Sequence, residues 1–416
     1  MTQGATPETL RIGFVGSRFI AHFHLQAFVG VRNARIAGVF SPTEANRKVF
    51  AKRANELELG PCQAYASLEQ MVSSDDIDAI WILTTNHTRL DVMRTIHRVV
   101  KDRGARLLGV ACEKPLARNV AEAREMLRLA DDAALNHGYL ENQLFAPAVQ
   151  RGKEIIWRRA VPSTGRPYLA RAAEEHSGPH EPWFWQGDKQ GGGVLSDMMC
   201  HSIEVARFML TKPGDERGSL KLLSANASVA NLKWTQPKYV GLLRERTNQI
   251  VDIGARPVED FARGTLVLED PDGQRVLIEA TTSWAYVGPG LRIQLELLGP
   301  EYSLEYSTLN SGLKIFLSRE VAGSQGEDLI EKQNAEQGLM PVLEDEAGSY
   351  GYTEENRHMV EAFRKGSQPM ETFRDGLAVV EMLMALYRSA ELGRTVDLLH
   401  EAETLETYIP PVARTS

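Results

Sequence analysis

Cysteine is scarce in this 416-residue chain, and Cys62, Cys112 and Cys200 are too scattered for a disulfide framework or a structural zinc site. Free thiols are expected. No stretch approaches the roughly 20 apolar residues that span a bilayer. Residues 1–10 also lack the positive start and apolar core of a secretory signal, so a cytoplasmic protein is expected. Basic residues are in the minority, 47 Lys and Arg against 55 Asp and Glu, giving a formal net charge of −8 and a pI near 5.8. With neither a basic stripe nor an Arg-rich run, nucleic acid and anionic membrane are poor partners. Internal repeats and low-complexity tracts are lacking too. What is there is ordinary globular composition, 43% hydrophobic and 25% charged, at a length that suits two or three domains.

The first 140 residues alternate short apolar runs with helix-length segments. Strands are expected at residues 10–15, 34–40, 79–83, 107–111 and, more weakly, 135–139, with helical spacing at 19–29, 44–55, 90–100 and 121–130. Such alternation implies an α/β domain, residues 1–140, with a parallel sheet covered by helices. From about residue 168 the texture changes to three glycines at 191–193, one helix, and β-type runs at 220–232, 264–268, 275–284, 291–298 and 313–317. Antiparallel pairing is the natural inference, and Asp270-Pro271-Asp272-Gly273 carries hairpin turn chemistry. Residues 238–259 and 324–351 are polar and weakly periodic, which suggests long excursions. Residues 353–392 are helical again, with Ala378, Val379, Met382, Leu383 and Leu386 forming a stripe. Residues 141–416 therefore read as an α+β domain.

The first strand runs into Gly13-Phe14-Val15-Gly16-Ser17-Arg18-Phe19-Ile20-Ala21, an approximate dinucleotide fingerprint. Gly16 allows the tight turn, Ala21 permits close helix packing, and the helix start at Phe19 and Ile20 offers N–H groups to a pyrophosphate. Arg18 replaces the second glycine and brings a cation. After the second strand Ser41 stands where an acidic ribose ligand is frequent; it reads equally as a helix cap or turn residue. The Ser-Pro-Thr loop, followed by Arg47 and Lys48, leaves room for a 2′-phosphate, so both NAD and NADP stand as cofactors. Thr85, Asn86 and His87 follow the strand at 79–83, where they could line the dinucleotide groove.

Lys114, in Glu113-Lys114-Pro115, falls at the carboxyl edge of the run 107–111, where open α/β sheets bind ligands. Far downstream Asp197 and His201 are four residues apart and share one face of the expected helix. A histidine one turn from a carboxylate suits general acid/base work, although such pairs also occur as plain helix-surface pairs. Just before them, His176, His180, Trp183 and Trp185 could stack on a sugar ring and bond its hydroxyls. Gly178 and Pro179 break the helix that a His176/His180 metal pair would need, so no metal is expected. Asn142, Phe145 and Trp284 are weaker pocket candidates, and Trp284 reads better as core.

Together, Gly16 to Ala21, Thr85-Asn86-His87, Glu113 to Ala117, and Gly191 through Asp197 to His201 resemble the glucose-fructose oxidoreductase / inositol dehydrogenase / MocA (Gfo/Idh/MocA) family in order and spacing. The resemblance covers residues 10–392. It implies a Rossmann domain followed by a domain with a large open, mostly antiparallel sheet, with the substrate at their junction. It further implies a dehydrogenase of a carbohydrate or cyclitol. Lys114, Asp197 and His201 fall on the family's catalytic positions: His201 takes the hydroxyl proton, Lys114 stabilises the alkoxide, and Asp197 orients substrate and histidine. Glu113 falls near the nicotinamide ribose. An alternative is a redox-assisted glycosidase that recycles NAD through oxidation, elimination and re-reduction. A homodimer or homotetramer is expected by the same analogy. Arg18, Ser41 and Met199 depart from the family's usual Gly, Asp and Gly.

Overall fold

The computed structural model describes residues 7–179, 181–247, 256–317, 338–343 and 345–414. The chain divides into two compact units: residues 1–117, 121–147 and 347–377 in the first, and residues 118–120, 148–346 and 378–416 in the second.

The first unit is built on a six-stranded sheet of β1 (Leu10–Val15), β2 (Ala34–Phe40), β3 (Gln63–Ala64), β4 (Ala79–Ile82), β5 (Gly109–Glu113) and β6 (Asn136–Leu140), in the order β3-β2-β1-β4-β5-β6. Every neighbouring pair is parallel. Each residue of β4 and β5 is buried, as expected of central strands covered on both faces, and this is why residues 79–82 and 109–112 read as apolar runs. Helices Phe19–Phe28, Glu44–Glu56, Asn86–Arg103 and Val120–Asp132 supply the crossovers. The expected alternation holds, with one useful shift: the fourth long strand runs on to Glu113, so Lys114 follows the strand directly.

Helix Tyr352–Arg364 also belongs to this unit, where the sequence reading drew one cut at residue 140 and grouped residues 353–392 with the second domain. Its Met359, Val360 and Phe363 join Phe14, Phe28 and Trp81 in one core. Gly109 and Gly138 make that seat possible, since a Cβ would stand 2.8 Å from the Phe363 ring and 2.5 Å from the Met359 sulfur, respectively. An amphipathic stripe tells that a helix has a buried face; it does not tell which sheet receives it.

In the second unit seven strands line up as β12-β11-β7-β10-β9-β8-β15. They are β7 (Leu169–Glu175), β8 (Lys221–Ala230), β9 (Phe261–Glu269), β10 (Arg275–Ser283), β11 (Arg292–Gly299), β12 (Tyr302–Ser307) and β15 (Val396–Asp397), while β13 (Leu313–Leu317) and β14 (Gly338–Val342) form a separate pair. Pairing is antiparallel except between β7 and β10, which run parallel. Asp270 turns the β9–β10 hairpin, its Oδ1 accepting the N–H groups of Asp272 (2.9 Å) and Gln274 (2.7 Å). Helix Val194–Leu210 covers the face formed by β7 and β10. Residues 237–247, expected as part of an excursion, are helical. Among the described residues, no helix is long and apolar enough to cross a membrane.

Candidate active site

In the first unit the sheet order reverses between β1 and β4, and ligands of open α/β sheets bind at that point. Gly16 turns the chain there with φ +123°, and a Cβ would collide with the Leu83 carbonyl oxygen, so only glycine fits. The helix Phe19–Phe28 then begins with no side-chain cap at Arg18 and no acidic residue in its first turn. Its positive end is thus left for an anion. Ser17 is buried and its Oγ has no hydrogen-bond partner among the described residues. An orphaned hydroxyl and a cradle closed to any side chain fit a dinucleotide phosphate site. Gly16→Ala is expected to weaken dinucleotide binding by roughly tenfold or more, measured by titration calorimetry, with a lower Tm from backbone strain of about 1–3 kcal/mol. Unchanged affinity would show that the turn holds no phosphate.

Around this edge, Arg18 and Phe19 are exposed and Ile20 is half-buried. Ser41 is buried, and its carbonyl accepts a hydrogen bond from Arg47 Nη1 at 3.1 Å, which folds the guanidinium back over the loop. Lys48 instead pairs with Glu44 at 2.7 Å. Thr85 precedes helix Asn86–Arg103, Asn86 is buried, and His87 is half-buried beside it.

Lys114 is half-buried at the carboxyl end of β5. Its backbone N–H donates to Glu113 Oε2 at 3.0 Å, while Glu113 Oε1 lies 2.9 Å from His24 Nε2. Burial opposes ionisation of Glu113, but the hydrogen bond from His24 and the charges of Lys114 and Arg89 outweigh it and hold the carboxyl below its ordinary range. Arg89 ties the neighbouring strand ends together by donating to the carbonyls of Thr84 (3.1 Å), Glu113 (2.7 Å) and Pro115. Glu141, just past β6, is fully buried. Desolvation pushes its carboxyl up to about 8 against the pull of Lys114, with Glu113 adding to the rise. His24, Arg89 and Glu141 escaped the sequence reading. For Glu141 the signal existed, since it stands at the carboxyl edge of a parallel strand; His24 and Arg89 lie inside helices and carry no local mark. Asn142 is buried, with its amide committed to the Tyr350 carbonyl at 2.8 Å.

In the second unit Asp197 and His201 share one face of helix Val194–Leu210, as their spacing predicts, and each is only 4% exposed. The preceding glycines make room for Glu259 and Tyr387. Glu259 Oε1 accepts the N–H groups of Gly193 (2.9 Å) and Leu195 (3.1 Å) and the Tyr387 hydroxyl (2.5 Å), which caps the helix start. Asp197 Oδ2 accepts the Trp284 indole N–H at 3.3 Å, and Glu174 Oε2 stands 4.0 Å from His201 Nε2. Trp284 is thus core, as expected, and also a partner of Asp197. Glu174 was missed as a site residue because β7, Leu-Ala-Arg-Ala-Ala-Glu-Glu, has no β-branched or aromatic residue to mark a strand.

His176 continues β7 by donating its N–H to the Ser283 carbonyl; it is buried, and its Nδ1 accepts from the Gly178 N–H at 3.0 Å. Trp185 is buried against Trp234 and Trp284, with its N–H on the Pro179 carbonyl at 3.2 Å. Trp183 is half-buried and stacks on Phe184, ring centroids 3.9 Å apart. His180 lies outside the described residues.

Comparisons with known proteins agree with this two-unit layout. Residues 10–136 match the model described as "Oxidoreductase family, NAD-binding Rossmann fold", and residues 162–305 match the GFO/IDH/MocA C-terminal domain. D-apiose dehydrogenase of Rhizobium rhizogenes is 22% identical over 394 residues, covering 94% of this chain and 97% of that protein. A 1,5-anhydro-D-fructose reductase of Ensifer adhaerens is 29% identical over 202 residues, 48% of this chain and 56% of that protein. The crystal structure of GenD2 from gentamicin A biosynthesis, in complex with NAD, superposes with a TM-score of 0.74 at 23% identity, covering 95% of this chain and 97% of that one.

Proposed function

This chain belongs to the Gfo/Idh/MocA family of NAD-binding oxidoreductases, and from that premise we propose that it oxidises a hydroxyl of a carbohydrate or cyclitol. The observation that carries this reading is the sheet edge of the first unit, where the Gly16 turn and Lys114 end parallel strands of one sheet and Lys114 is anchored through Glu113. The sugar and cyclitol dehydrogenases among the relatives support the substrate class. A bound nicotinamide supplies the hydride acceptor for the carbinol carbon.

Gly16, Ser17 and the start of helix Phe19–Phe28 hold the phosphates, with Arg18 as a nearby cation; Ser41, Arg47, Thr85, Asn86 and His87 line the remaining dinucleotide contacts. His201 takes the hydroxyl proton as general base, and Asp197 orients substrate and histidine. Lys114 donates to the oxygen as negative charge grows on it. Of the two tryptophans of the 176–185 segment, Trp183 is the one suited to a sugar ring, because it is half-buried while Trp185 is buried. Three buried cysteines outside any disulfide suit a reducing compartment, and we place the enzyme in the cytoplasm as a homo-oligomer. The direct test is to release and identify any copurifying nucleotide, then screen sugars, cyclitols and glycosides with NAD and with NADP. Stoichiometric NADH or NADPH formation from a free sugar or cyclitol is expected. Cleavage of a glycoside without net reduction of the nucleotide would overturn the dehydrogenase reading.

A further inference from the structure

The strand end that carries Lys114 is tied to a residue far along the chain through buried polar groups. Trp81, fully buried on β4, donates its indole N–H to Asn356 Oδ1 at 2.9 Å. Asn356 Nδ2 donates to the Tyr352 carbonyl at 2.8 Å. An indole nitrogen can only donate and a carbonyl can only accept, so these two contacts independently settle which end of the amide is oxygen.

The remaining Nδ2 hydrogen faces His24 Nδ1 at 3.0 Å, while Asn356 Oδ1 stands farther from the same nitrogen, at 3.4 Å. A proton on His24 Nδ1 would set two N–H donors against each other at 3.0 Å, so that nitrogen carries the lone pair. The ring proton therefore sits on Nε2, where it donates to Glu113 Oε1 at 2.9 Å. The second oxygen of Glu113 accepts the Lys114 backbone N–H. His24 and Asn356 are fully buried and Glu113 is 3% exposed, so no water stands ready to replace a lost partner.

We propose that Trp81, Asn356 and His24 act as positioning residues for Lys114. They lock His24 as the Nε2–H tautomer, and that tautomer fixes the Glu113 carboxylate on which the Lys114 backbone is anchored. The chain of contacts runs Trp81, Asn356, His24, Glu113, Lys114, and none of the first three has to touch substrate. Glu113 takes on a different role as well: both of its oxygens are engaged inside the protein, so it acts on the site through Lys114. The assignment rests on the reading of Lys114 as an active-site residue. The titratable and charged groups facing Glu113 are His24 from helix Phe19–Phe28, neutral in the proposed tautomer, Arg89 from helix Asn86–Arg103, Lys114 itself, Glu141 beyond β6 and Glu355 from helix Tyr352–Arg364.

The test uses the full chain labelled with 15N-histidine, the His24 signals being identified by their loss in His24→Gln. Ring shifts of a pyridine-type Nδ1 and a pyrrole-type Nε2 are expected, and the reverse tautomer or an imidazolium at neutral pH would overturn the network. Trp81→Phe keeps an aromatic ring in the core, with some loss of buried volume, and removes the donor that pins Asn356, so His24 should then show mixed tautomers; an unchanged spectrum would count against the proposal.

Turnover supplies the second arm. His24→Phe should lower kcat on the order of tenfold to a hundredfold, as a small misplacement does, with less than about threefold change in nucleotide KM. His24→Gln, which restores an N–H donor, should recover most of the loss; equal losses in both variants would reduce His24 to a packing residue. The spectra need no catalysis. An inactive chain with the expected tautomer overturns the dehydrogenase reading alone, and an active enzyme with the wrong tautomer overturns the network alone.

Discussion

Replacing Lys114 by alanine is expected to lower kcat on the order of a thousandfold, about 4 kcal/mol of transition-state stabilisation, while nucleotide affinity changes less than about threefold. Position is the first reason. Lys114 directly follows the last residue of a fully buried strand, its backbone is held by Glu113, and Arg89 clamps the carbonyls on either side of it. On the proposed reading, a half-buried ammonium carried on a backbone fixed in this way would meet a growing alkoxide with little reorganisation, which is the condition under which fixed charges accelerate most. Lys114→Arg should recover little, because a planar fork cannot place one donor where a compact ammonium stood. Steady-state rates of nucleotide reduction decide the matter. An alanine variant with full turnover would remove Lys114 from the mechanism.

The second large effect concerns stability. Glu141 is completely buried, and its carboxyl titrates near 8 in the folded protein against an ordinary 4.5. The folded state thus keeps the proton after the unfolded chain has lost it. A raised carboxyl contributes stability that is fully present below the unfolded value and is lost as pH rises through the folded one. A tenfold difference in proton affinity between the two states is worth about 1.4 kcal/mol, so the loss accumulates between roughly pH 4.5 and 8 to on the order of 4 kcal/mol. Glu141→Gln keeps the shape and an acceptor for the Gln143 N–H but never ionises. It should match the parent near pH 4.5 and be increasingly more stable toward pH 8 in urea unfolding. A difference that does not vary with pH would show that Glu141 is already ionised when folded.

Much of this was legible because burial leaves a trace in sequence. Strands β1, β2 and β4 are covered on both faces and read as apolar runs; Asp270 to Gly273 announced its hairpin; Gly16 announced its turn. The places of Lys114 at a strand end and of Asp197 and His201 on one helical face were legible because the edge of a parallel strand and a four-residue helical spacing are local facts. What escaped was not local. The strand β7 is alanine-rich, and its parallel pairing with β10 joins segments far apart in the chain. His24 and Asn356 are separated by 332 positions, and neither flank of either residue hints at the other. Aromatic content misled in one place: Trp185 looked suited to a sugar ring, and the fold uses it to fill a cluster of indoles.

The return of helix Tyr352–Arg364 to the first sheet has a consequence for biosynthesis. Domains generally fold in order as they leave the ribosome. Here the nucleotide-binding sheet lacks Met359, Val360 and Phe363 from its core until translation has passed Phe363, well beyond its last strand. The notches at Gly109 and Gly138 stay open meanwhile, exposing apolar surface on a nascent chain. Completion of the sheet is therefore a late event, and a messenger truncated before the codon for Tyr352 would yield a Rossmann domain that chaperones retain.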